Sequence, residues 1–231
     1  MKKLKSVIYI PGLLLLLSAF PVFGQQTNAV VNDLEWKFYQ SRKTSNDLVK
    51  AYSWDSRTDV TREGKVVDIL IEQFSYASDG KLQRKIINDQ EAKLPSSFLI
   101  HEIAEEMKTK MISFMDNLRI FLEEYALTDQ QKGSLFFSKA KIGSPDPEGQ
   151  ILVCGEDVII KGDKLSWWID AHNYTISKVS ISTIFEGDQI EFTATYKYII
   201  PGLNYLAFAE ILVPPKNIMV QLHCYDYMKA D

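Results

Sequence analysis

The sequence predicts an α+β fold in which a strongly curved antiparallel sheet wraps around one long helix and a shorter one. Three observations lead there. Much of the chain falls into segments of two-residue apolar alternation, cleanest where Ile190, Phe192, Ala194, Tyr196 and Tyr198 oppose Glu191, Thr193, Thr195 and Lys197. The turns between segments are too short for a parallel crossover, so neighbouring strands run antiparallel. One mid-chain stretch changes to a spacing of three and four, the mark of an amphipathic helix.

The first 24 residues have the layout of a secretory leader. Lys2, Lys3 and Lys5 open it, an apolar run passes through Leu13 to Leu17, and Val22-Phe23-Gly24 closes it. Pro11 and Gly12 interrupt the run, which is short for a membrane span of about 20 residues. The expectation is a leader over residues 1–24 and one mature domain over residues 25–231, periplasmic or secreted, with no membrane span after cleavage. Without the three leader lysines, 23 basic residues face 30 acidic ones, a net charge of −7. Nucleic acid and anionic lipid surfaces both select Lys/Arg clusters, so this balance argues against them.

Residues 25–47 mix Leu34, Trp36, Phe38 and Tyr39 with polar residues and suit a short helix with an irregular entry. Tyr52 and Trp54 share one face of a strand that reaches Arg62, and Glu63-Gly64-Lys65 turns it into Val66–Ala77. Asp79-Gly80 is a two-residue hairpin signal returning the chain along Lys81–Ile87. After Pro95 the helical period takes over: Ile100, Ile103, Met107, Met111, Phe114, Leu118, Phe121 and Tyr125 form one stripe. From Ser97 to Leu127 that helix is about 45 Å long, and it needs a large apolar surface to lie on. A second helix is expected from Thr128 through Ala140, and a loop over Gly143–Gly149. The remainder reads as strands: Ile151–Cys154 and Asp157–Lys161 about a bulge at Gly155, then Lys164–Asp170, Tyr174–Phe185, Ile190–Ile199, Tyr205–Val213 and Ile218–Tyr227. Eight or nine strands result.

Motifs for chemistry are sparse. His101-Glu102-Ile103-Ala104-Glu105 approaches a zinc-protease motif, but Glu105 stands where the second histidine belongs, and zinc needs a further ligand. His223 and Cys224 adjoin on a strand and so point to opposite faces, which argues against a catalytic pair. Glu210 is a lone acid in an apolar strand, expected to anchor a buried Arg or Tyr or to line a pocket. No enzyme activity and no cofactor are expected. Cys154 and Cys224 either pair, worth about 4 kcal/mol on a chain-entropy estimate, or remain separate buried thiols; the spacing leaves this open.

Aromatic residues dominate the strands. They fill the core between sheet and helix, or they line an apolar cavity that a curved sheet leaves unfilled. On the second reading the lining residues are Tyr52, Trp54, Met111, Trp167, Phe192 and Tyr196, with the flexible methionines suited to a variable guest.

The export leader, the antiparallel meander, the mid-chain helices and the strand–Pro-Pro–strand ending together resemble the bacterial lipoprotein-carrier superfamily, the periplasmic LolA/LolB-like half-barrels. The matching stretch is Trp168-Ile169-Asp170 through Lys178, Glu186-Gly187-Asp188, Phe192 to Tyr198 and Phe208 to Lys216. The resemblance implies an incomplete barrel with an apolar cavity under a helical lid, and a lipid or lipidated protein as partner. The Ser97–Leu127 helix is longer than that family's lid elements. Neither Arg57 nor Arg62 matches the family's lid-holding arginine. The functional expectation is an exported, soluble envelope protein that binds a hydrophobic ligand without transforming it. The alternatives are an interaction or sensor module that meets another envelope protein, and an exported hydrolase using paired carboxylates.

Overall fold

Turn chemistry and alternation assemble ten strands into one sheet. A computed structural model describes residues 28–91, 113–114 and 116–229. The strands are β1 (Tyr52–Arg62), β2 (Lys65–Tyr76), β3 (Leu82–Glu91), β4 (Lys141–Ile142), β5 (Gln150–Glu156), β6 (Lys164–Asp170), β7 (Ile176–Phe185), β8 (Asp188–Ile200), β9 (Leu203–Val213) and β10 (Ile218–Lys229). Their order across the sheet is β3-β2-β1-β10-β9-β8-β7-β6-β5-β4. Every recorded pairing is antiparallel. β3 and β4 are the edges and do not pair with each other, so the sheet is an incomplete barrel. Joining β1 to β10 brings the early hairpin beside the last strand, a pairing that local turn signals do not reveal.

One face, the inner face, carries the helices: α1 (Asn28–Leu48), α2 (Gln130–Lys139) and a helical stretch over 116–123. α1 spans 21 residues, longer than the expected short helix. Its narrow stripe of Val31, Leu34 and Phe38 packs on the core, while Trp36 stands in water. Asp129 caps α2 by accepting a hydrogen bond from the Lys132 amide at 3.0 Å. The stretch 116–123 ends in a tight turn, Glu124–Ala126, and a left-handed Leu127, which matches the expected end of the long helix. The rest of that helix, including His101 and Met111, and the leader lie outside the described residues.

A buried clasp holds this turn to the sheet. The Tyr125 hydroxyl donates to Asp163 at 2.8 Å and meets Thr183 at 2.7 Å. Asp163, 1% exposed, also accepts from the amides of Val158, Ile159 and Ile160. Those amides explain one correction: residues 157–162 form a loop, not a strand, because a side-chain carboxylate takes the hydrogen bonds a strand partner would. Gly155 is not a bulge either. It pairs in register with Leu165, and an added Cβ would lie 2.5 Å from the Phe136 ring, so the glycine admits α2. At the Asp79-Gly80 turn only Gly80 has positive φ, and the Gly80 amide donates back to Ala77; the loop holds three residues, not two.

Cys154 and Cys224 are both free thiols. They stand on β5 and β10, with four strands between.

Candidate functional site

Register and alternation define the inner face residue by residue. One row runs Val153, Trp167, Val179, Ala194, Ala209, Leu222, Thr58 and Leu70 from β5 to β2. The first five are buried; the last three are only partly so. The break falls between β9 and β10. On the buried side the Trp167 ring stacks on Phe38 at 5.0 Å and meets Phe136 at 4.9 Å. Ala194 and Ala209 keep the middle of the row shallow beneath α1.

Beyond the break, β10, β1, β2 and β3 offer a different surface. Trp54 faces the same way as Val60, which packs in the inner cluster with Leu118. Its ring is sandwiched between Phe74 (centroids 5.5 Å apart, planes 13°) and Tyr227 (5.3 Å, 6°). Tyr76 flanks it at 6.1 Å, and Tyr205 continues the series 4.2 Å from Tyr227. Each of these rings is only partly buried. A bulge in β10 at Asp226, whose φ is 52°, turns Tyr227 onto Trp54. On the β3 edge, Leu82 pairs with Tyr76 and Ile86 with Glu72, and these apolar side chains are 51% and 56% exposed.

The adjacent row is polar: Glu72, Ser56 and Cys224 lie directly opposite one another on β2, β1 and β10. Glu72 is buried and accepts a hydrogen bond from Arg84 of β3. Ser56 is 1% exposed, and among the described residues its hydroxyl has no hydrogen-bond partner. Such an orphan costs about 1–3 kcal/mol. Burial pushes the Cys224 thiol from near 9 up to about 11; a hydrogen bond with Tyr227 opposes the rise and the Glu72 charge adds to it. Cys224 is therefore a protonated thiol at neutral pH and a poor nucleophile. Burial likewise raises Tyr227, with Cys224 and Tyr205 adding to the shift.

The six expected lining residues do not share one site. Trp54 is the centre of the aromatic series, and Tyr52 opens the same strand, partly buried opposite Lys229. Trp167 is a packed core side chain, 1% exposed, because α1 and α2 both place rings on it. Phe192 and Tyr196 pack against that same core. Tyr196 is raised by burial and lowered in part by Arg42, which donates to the Ala126 carbonyl. Glu210 accepts from Gln221 at 2.9 Å rather than from a buried Arg or Tyr. Ser56 and Glu72 were missed, since only register brings them beside Cys224. Among the described residues no three His, Cys, Asp or Glu side chains gather as a metal site, and no helix is long and apolar enough to cross a membrane.

The chain is similar to solved structures of other proteins. A DUF1329 family protein from Desulfovibrio piger is 7% identical, with 86% of this chain and 92% of that one covered and a TM-score of 0.41. A LolA superfamily protein from Nitrosomonas europaea is 10% identical over 84% and 93% of the two chains, TM-score 0.38. A domain described as an outer membrane lipoprotein-sorting protein, from Vibrio parahaemolyticus, is 11% identical over 86% and 92%, TM-score 0.34. The likeness is weak in each case. No family model and no curated protein matches the chain.

Proposed function

We propose that this is an exported, soluble envelope protein that holds the acyl chain of a lipid or lipidated protein against the inner face of β10, β1, β2 and β3, with no chemistry. One observation carries the reading: the Phe74–Trp54–Tyr227 stack on β2, β1 and β10, a run of partly exposed rings that Tyr205 extends onto β9. Packed cores bury such rings; here they stay accessible while the other half of the sheet is closed over Trp167. The leader-like first 24 residues and the acidic balance of the mature chain support an exported protein that does not dock on anionic lipid by charge.

The test is lipid recovery. Protein purified from the envelope fraction without detergent is extracted and examined by mass spectrometry. Stoichiometric acyl lipid from wild type, falling at least tenfold in Trp54→Ala, is expected; lipid-free protein that also fails to take up added acyl chains would contradict the reading. A second reading has its own observation. Leu82, Ile86 and Ile87 expose apolar surface along the unpaired edge strand β3, which suits a protein partner in the envelope. A Leu82→Lys, Ile86→Lys variant that abolishes cross-linking to an envelope protein and leaves lipid content unchanged would favour it.

A further inference from the structure

A polar row adjoins the aromatic rings. Ser56 sits two residues from Trp54 on the same face of β1, about 7 Å along the strand. Its Cβ lies about 5 Å from those of Glu72 and Cys224 across the ladder. A serine hydroxyl offers one donor and two acceptor positions, and none is used. Glu72 offers only acceptors, and Arg84 fills part of that capacity from β3. Half of the Arg84 side chain is in water, and it meets the cluster from β3 at Glu72.

Building on the acyl-chain reading, we infer that Ser56 and Glu72 form a polar subsite for a neutral single-chain lipid whose head carries a hydroxyl or amide N–H donor. The donor bonds the Ser56 oxygen or the Glu72 carboxylate, and the chain lies along Trp54 and its neighbouring rings. A free fatty acid fits this place less well, because Arg84, the cation beside the row, is already paired with Glu72. Its carboxylate would face Glu72, whose field already reaches across the row to the Cys224 thiol. It could accept from the Ser56 hydroxyl but would offer Glu72 no donor at neutral pH.

The experiment compares 1-monolauroylglycerol with laurate at pH 7.4, both below their micelle concentrations, by displacement of a fluorescent naphthylamine probe. Wild type should bind the monoacylglycerol about tenfold more tightly. Ser56→Ala removes a hydroxyl that has no protein partner and so leaves the fold intact; it should cut the preference to about twofold. Glu72→Gln keeps the shape and should tighten laurate binding several-fold. Equal affinity for the two lipids in wild type, or a preference unchanged in both variants, overturns the subsite while leaving acyl binding standing. Failure of both lipids to displace the probe overturns acyl binding and the subsite together.

Discussion

The two halves of the inner face differ although they belong to one sheet. From β5 to β9 the strands carry Val153, Trp167, Val179, Ala194 and Ala209 in one buried row, with Phe38, Phe136 and Phe137 packed among them. From β10 to β3 the same row continues through Leu222, Thr58 and Leu70 and is only partly covered. The contrast lies in what the strands meet, not in their own hydrophobicity. One half meets two helices with bulky rings; in the other, Val60, Ile218 and Val220 are buried against Leu118, while Phe74, Trp54 and Tyr227 stack on each other and stay partly exposed. A row divided this way gives more of its packing energy to the β5–β9 half than to the Trp54 neighbourhood.

The sharpest way to break this comparison is to delete a ring from each half. Trp167→Ala should lose about 3–5 kcal/mol in urea unfolding, because the helices over it cannot close the cavity. Trp54→Ala should lose about 1–2 kcal/mol, the worth of its two stacked neighbours. Equal losses would mean that both halves are core. Next in size is the clasp. Asp163→Ala strips three loop amides and the Tyr125 hydroxyl of their acceptor and should cost about 3 kcal/mol by the same assay. It should loosen residues 116–127 in hydrogen exchange and leave β1 to β3 unchanged.

The smallest effect is on pH dependence. Folding raises the Cys224 thiol to about 11, so the folded state favours the protonated form. The stability tied to that proton is fully present below pH 9 and is lost as pH rises through 11. Between pH 8 and pH 11 wild type should lose about 2 kcal/mol more than Cys224→Ala. An identical slope in both proteins would place Cys224 outside the buried row.

The strands were readable because their cues are local. Period-two alternation and residues such as Glu63-Gly64 and Gly187-Asp188 define β1, β2, β7 and β8 without tertiary knowledge. Trp54 was found as an inner-face aromatic for the same reason. Trp167 was misplaced as cavity lining because alternation gives its face but not what covers it. The covering ring, Phe38, comes from α1, whose exposed Trp36 blurs its apolar stripe. Ser56 and Glu72 carry no cue at all: they are ordinary polar strand residues until pairing sets them beside Cys224. The loop at 157–162 shows the opposite failure, apolar residues such as Val158 and Ile159 that look like a strand yet are held by one carboxylate.

The central claim, that an acyl chain lies on the Trp54 half and not the Trp167 half, is tested most directly by bromine quenching. Two variants would each retain one tryptophan, Trp54 or Trp167, with the other three changed to phenylalanine. A 12-bromo acyl chain should quench the fluorescence of the Trp54 protein by more than half and leave the Trp167 protein nearly unchanged. Quenching of Trp167 alone, or of neither, would contradict the account.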